Sequence, residues 1–280
     1  MKLNVMSRRD FVQLCGLGAA GIALSGSLAA CGSSGTTSSA TSGSGYTLVK
    51  SGKLTMISNF YFPPFVSMDE KTGDFEGFDV DVYKAICKKL KLKPRILPSV
   101  QLDTIVPTIK QGGKADVSIG AITITDDRKK EIDFTKPYLD SNQSIVVKKG
   151  SAATTQEQLN AKGMQIAVQS GTTGESWAQE NLPKATVVPL DDIIQAMTGV
   201  QTGLYNACVA DLPVTSYEIK QAYGDLQIPE GGEIPTGEQY GIVVSKKNPG
   251  LTKAINKALK ELKGDGTMDA LEQKWFGTTI

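Results

Sequence analysis

The sequence predicts an α/β protein of two lobes joined by a two-strand hinge. Three observations lead there. Strand and helix patterns alternate from Tyr46 onward, the alternation repeats in two similar series, and a strand-like segment late in the chain returns toward the first series. Alternating β and α elements imply parallel sheets with helices on both faces. Ligands of such sheets bind beyond the carboxyl ends of the strands, so two facing lobes would share one cleft.

Residues 1–31 read as an export signal rather than as part of the globule. Lys2, Arg8 and Arg9 form a positive head, and residues 11–28 are apolar and rich in Gly and Ala. Leu28-Ala29-Ala30-Cys31 resembles the lipobox of bacterial lipoproteins, which makes Cys31 the expected lipidation site and mature N-terminus. Ser7-Arg8-Arg9-Asp10-Phe11-Val12 resembles a twin-arginine signal, and export by that route or the general one stays open. Residues 32–45 are almost entirely Gly, Ser, Thr and Ala, a composition that buries little apolar area and predicts a flexible tether. Lipid plus tether would hold the globule at the extracytoplasmic face of a bacterial cell membrane.

The first series opens with a strand over 54–58. A helix follows over 78–90, where Phe78, Val82, Ile86 and Leu90 recur every four residues on one face. Next come a strand over 95–97, a helix over 102–111 carrying Leu102, Ile105, Val106 and Ile109, and a strand over 115–119 ending at Gly120. A short charged helix over 126–131 follows Thr125. The chain crosses to the second series near 142–146. There a strand over 165–168 leads to Gly171-Thr172-Thr173-Gly174, which opens a helix carrying Trp177. A strand over 186–188, a helix over 191–202, a strand over 207–210 and a helix over 212–222 complete it. The chain returns near 238–242, with a strand over 240–245 and closing helices over 251–263 and 267–275. Lobe 1 is thus expected to comprise 46–142 plus 238–280, and lobe 2 143–237.

Composition narrows the function classes. The chain of 280 residues is 40% hydrophobic and 21% charged, an ordinary globule rather than a disordered or membrane-embedded one. A formal net charge of +1 leaves no electrostatic footprint for nucleic acid. There is no histidine, which removes the commonest general base and most zinc sites. No metal, cofactor or catalytic residue is expected. Cys87 and Cys208 lie far apart in apolar runs and read as buried free thiols.

Several motifs stand in order along the chain. Phe62-Pro63-Pro64-Phe65 precedes Gly77-Phe78-Asp79-Val80-Asp81-Val82 and Lys114-Ala115-Asp116. Thr123-Ile124-Thr125-Asp126-Asp127-Arg128 and Asp133-Phe134-Thr135-Lys136-Pro137-Tyr138 follow. Gly171-Thr172-Thr173, Ala207-Cys208-Val209-Ala210-Asp211, Asp265-Gly266-Thr267 and Lys274-Trp275-Phe276-Gly277 complete the series. Over nearly all of 50–278 they resemble the polar amino-acid-binding proteins of ABC transporters, solute-binding protein family 3. The resemblance implies a periplasmic-binding-protein-like type II fold and a free polar or basic L-amino acid as ligand. It also implies ABC permease subunits as membrane partners, and a monomer. Two other readings are weighed beside it. One is a periplasmic cyclohexadienyl dehydratase-like enzyme, for which the cleft motifs offer no unpaired glutamate. The other is an amino-acid sensor module.

A zwitterion needs a planar cation for its carboxylate and an anion for its ammonium. Arg128 suits the first role; spacing alone favours a surface arginine among Asp126, Asp127, Lys129 and Lys130, and the resemblance reverses that. Asp211 could be a helix cap; the resemblance makes it the ammonium partner. The Thr123 hydroxyl could accept from the ligand ammonium or donate to its carboxylate, Thr173 would hold the carboxylate at a helix start whose free N–H groups attract anions, and Ala121 would offer its carbonyl to the ammonium. Ser170 would line the ligand side chain, with Phe62 and Leu102 as walls and Phe60 and Tyr61 as alternative walls. Thr125 is expected to cap the short charged helix. Asn59 stands where binders of basic amino acids often carry an acid, and it is neutral, with a donor and an acceptor. Asn206 replaces a usual Asp away from the cleft, so a structural effect alone is expected.

Overall fold

The computed structural model describes residues 40–42, 45–69 and 71–279. The expected export signal, with Cys31, lies outside the described residues, as does most of the expected tether. The last part of that tether departs from expectation: Ala40–Ser42 pairs antiparallel with Tyr46–Leu48, Thr41 standing opposite Thr47. A partner strand supplies the backbone hydrogen bonds that composition alone did not promise. Among the described residues no helix is long and apolar enough to cross a membrane.

Two sheets organise the rest. The first has five strands in the order Lys93–Ile96, Lys53–Ile57, Val117–Ser118, Val243–Val244 and Asp133–Phe134. The second runs Thr186–Leu190, Gln165–Gln169, Ala207–Asp211, Leu139–Lys148, Leu226–Gln227, with Glu233–Tyr240 also paired to Leu139–Lys148. The central strands are short apolar runs buried on both faces, as in Met56 and Ile57 or Ile166, Ala167 and Val168.

The sheets are mixed, not parallel as the alternation predicts. Lys53–Ile57 pairs parallel with both its neighbours, but Val243–Val244 enters antiparallel. The reason is topological. Val243–Val244 returns from Glu233–Tyr240, a strand of the second sheet, and inserts between Val117–Ser118 and Asp133–Phe134 against their direction. In the second sheet, Leu139–Lys148 likewise runs antiparallel to Ala207–Asp211.

Leu139–Lys148 and Glu233–Tyr240 are the two strands that pass between the lobes. They pair antiparallel, with the register slipping between Ser141 and Gln143. Such an irregularity bends and twists a strand, here at the crossing itself.

The helix Phe78–Leu90 buries Phe78, Val82 and Ile86 as its spacing predicts, and Val80, Tyr83 and Cys87 beside them. The expected helix over 102–111 divides into a 3₁₀ turn, Leu102–Thr104, and an α-helix, Ile105–Gln111. Asp81 explains the pairing of two distant motifs: its Oδ2 accepts from Lys274 Nζ at 2.7 Å and Trp275 Nε1 at 2.9 Å. Asn206 takes the structural role expected, its Oδ1 accepting from Gln165 N–H at 2.8 Å. Cys87 and Cys208 are free and buried, and burial pushes their thiols up to about 11 and about 12.

Gly77 is required by geometry. Its φ is +128°, and a Cβ there would lie 2.1 Å from the Phe65 carbonyl oxygen. Gly77→Ala is expected to destabilise the fold by about 3 kcal/mol, through backbone strain and steric clash. Urea denaturation of the purified protein checks this, and an unchanged midpoint would contradict it.

Candidate functional site

A cleft lies beyond the carboxyl ends of strands from both sheets. Asn59 follows Lys53–Ile57, Gly120 to Thr123 follow Val117–Ser118, Gln169 ends its strand, and Asp211 ends Ala207–Asp211. Eight of the nine predicted residues line it: Asn59, Phe62, Leu102, Ala121, Thr123, Arg128, Thr173 and Asp211. Ser170 does not. The lining passes through Gln169, Thr172 and Thr173 instead, while the Ser170 N–H is spent on the Leu190 carbonyl in the sheet. The free space is only about 20 Å³, room for one water.

Arg128 is carried by the helix Asp126–Glu131, which Thr125 caps by accepting from the Arg128 N–H at 3.2 Å. Its guanidinium reaches across the cleft. Nη1 donates to the Thr123 carbonyl at 2.8 Å and Nη2 to the Gly171 carbonyl at 2.9 Å. The surface alternative is therefore excluded. Burial draws the pKa of Arg128 down, while the carboxylates of Asp211 and Glu238 pull the other way.

Asp211 occupies the cap position of Leu212–Gln221 but makes no side-chain cap bond. Its carboxylate turns into the cleft, where Oδ1 accepts from Gln143 Nε2 at 2.8 Å and Oδ2 from the Tyr240 hydroxyl. Burial pushes its carboxyl up to about 6, the charge of Glu238 adds to that, and Tyr240, Gln143 and Arg128 oppose it.

Ala121 has a left-handed backbone, φ +51°, unusual for a residue with a Cβ. Its N–H donates to Asp79 Oδ2 at 2.7 Å, and the Tyr138 hydroxyl donates to the same oxygen at 2.7 Å. Asp79 is fully buried, and burial pushes its carboxyl up to about 7. The 77–82 motif thus anchors the loop that carries Ala121.

Thr173 is the first residue of Thr173–Asn181, and Thr172 is the cap, accepting from the Glu175 N–H at 3.0 Å. Gly174 lets this helix end press against the hinge. A Cβ there would come within 2.8 Å of Gln143 Oε1 and 3.1 Å of the Val209 carbonyl. Of the three candidate aromatic walls, Phe62 lines the cavity, Phe60 stacks on Phe75 at 4.0 Å, and Tyr61 is 46% exposed. At the other end, Gln169 Nε2 donates to Asn59 Oδ1 at 3.2 Å, leaving Gln169 Oε1 buried without a partner.

Glu238, outside the motifs of the cleft, stands at its edge with a hydrogen-bonded carboxylate. Its Oε2 accepts from Thr123 Oγ1 at 3.1 Å, Thr173 Oγ1 at 3.0 Å and Gln143 Nε2 at 3.1 Å. Gln143, Gln169 and Tyr240 were likewise not anticipated. Position 238 marked only a lobe boundary in the sequence, and a strand's alternation does not say which of its faces meets a cleft.

The model of the bacterial extracellular solute-binding proteins, family 3, matches residues 54–278. The ABC transporter glutamine-binding protein GlnH of Bacillus subtilis (strain 168) is 34% identical over 207 residues, 73% of this chain and 74% of the relative. The L-cystine-binding protein TcyJ of Escherichia coli (strain K12) is 31% identical over 219 residues, 78% of this chain and 80% of the relative. Among solved structures, an ancestral arginine-binding protein bound to glutamine has a TM-score of 0.74 at 40% identity, covering 81% of this chain and 99% of that one. The match spans both lobes and every residue of the cleft, and the chain belongs to the bacterial extracellular solute-binding proteins, family 3.

Proposed function

We propose that the chain captures a free L-α-amino acid in this cleft and delivers it to the permease subunits of an ABC importer. One observation carries the reading: Arg128 and Asp211 come from opposite lobes and line one cavity. The guanidinium fork suits an α-carboxylate, and the buried carboxylate suits an α-ammonium. Thr123, Thr173 and the Ala121 carbonyl complete the two ends. The unpartnered Gln169 Oε1 favours a side chain that ends in N–H donors, as amides and guanidinium groups do. The relatives bind glutamine, cystine or arginine by name, which agrees with a polar or basic ligand.

The lobes in this reading are 46–142 plus 238–280 and 143–237, and the ligand docks while they stand apart. Closure about the two crossing strands removes water and strengthens both charge pairs. A lipid on Cys31 and the tether after it would keep a monomeric binding protein beside its permease, outside the cytoplasm. Binding is the whole activity; no catalytic residue or cofactor is assigned. Calorimetry with each of the twenty amino acids tests this. At least one polar or basic amino acid is expected to bind with micromolar or tighter affinity, and binding of none would sink the proposal.

A further inference from the structure

Glu238 stands on the returning hinge strand, and its carboxylate sits where the two lobes' hydroxyls converge. Thr123 Oγ1 and Thr173 Oγ1 both donate to the same oxygen, Oε2. A hydroxyl has one hydrogen to donate, so both are spent there. Both threonines are ones that the reading above places at the ligand. A second carboxylate could not take their hydroxyls while Glu238 remains, and it would lie against a like charge. The other charged groups facing Glu238 are Arg128, committed through both terminal nitrogens to the Thr123 and Gly171 carbonyls, and Asp211, joined to it through the Gln143 amide.

We propose that Glu238 is an internal stand-in for the ligand carboxylate, drawing Thr123 and Thr173 together in the empty clamp, and that an amino acid has to displace it to bind. The part concerning the ligand rests on the function proposed above; the part concerning the empty protein does not. Glu238 then sets affinity by competition rather than by contact.

The test compares wild type with Glu238→Ala and the near-isosteric Glu238→Gln, which serves if the alanine variant fails to fold. Small-angle scattering of the ligand-free proteins should give a larger radius of gyration for the variants. Calorimetry with L-glutamine and L-arginine should show affinity rising about tenfold in Glu238→Ala for whichever probe binds wild type. An unchanged radius overturns the latch, and weaker or unchanged binding overturns the competition. If wild type binds neither probe, the binding function is in question, while scattering still decides the latch.

Discussion

Replacing Arg128 with alanine is expected to weaken amino-acid binding by roughly 100- to 1,000-fold, the cost of truncating one partner of a buried, hydrogen-bonded charge pair. The side chain has two jobs. Its terminal nitrogens bridge the Thr123 and Gly171 carbonyls on opposite sides of the cleft. In the occupied cleft the same fork turns to the ligand carboxylate. Arg128→Lys keeps the charge but loses the planar pair of donors, so it should recover only a small part of the affinity. The fold should survive both changes, because the helix carrying Arg128 buries no residue and the core lies elsewhere. Calorimetry with the best ligand of wild type checks the ordering wild type, lysine, alanine. Equal affinity in the alanine variant would remove Arg128 from the site.

Asp211 carries the second large effect, and it depends on pH. Burial raises its carboxyl to about 6. The ligand ammonium needs the ionised form, so affinity should fall about tenfold for each pH unit below about 6. Stability of the empty protein has the opposite sign. The folded state holds this proton more tightly than the unfolded chain, whose ordinary value is 3.8, so the contribution is full below that value and lost as pH rises through about 6. Asp79, raised to about 7, acts in the same direction on stability, so only the difference between wild type and a variant isolates Asp211. Asp211→Asn should bind roughly 100-fold more weakly at pH 7 and lose the fall in affinity between pH 7 and 5. Calorimetric titrations across that range decide it; a variant with the wild-type pH profile would contradict the role.

Most of the cleft was legible because its residues follow strand ends and sit in motifs. Arg128 and Asp211 are ambiguous by spacing, as a surface arginine and as a helix cap, and family resemblance selected the role that the geometry supports. Ser170 failed for a local reason: its backbone stays in the sheet, and the turn exposes Thr172 and Thr173 instead. The hinge residues were invisible for a different reason. Gln143, Glu238 and Tyr240 lie on strands whose twist and slipped register decide which side chains reach the cleft, and neither is written in a hydrophobic period. The antiparallel entry of Val243–Val244 was missed because alternation of elements reports their order and not the direction of return.

The most direct measurement is a structure of the protein crystallised with its best amino-acid ligand. The account expects the α-carboxylate within hydrogen-bond reach of the Arg128 guanidinium and Thr173, the α-ammonium against Asp211 and the Ala121 carbonyl, and Glu238 swung away from both threonine hydroxyls. A ligand seated elsewhere, or one whose charged ends touch neither Arg128 nor Asp211, would contradict it.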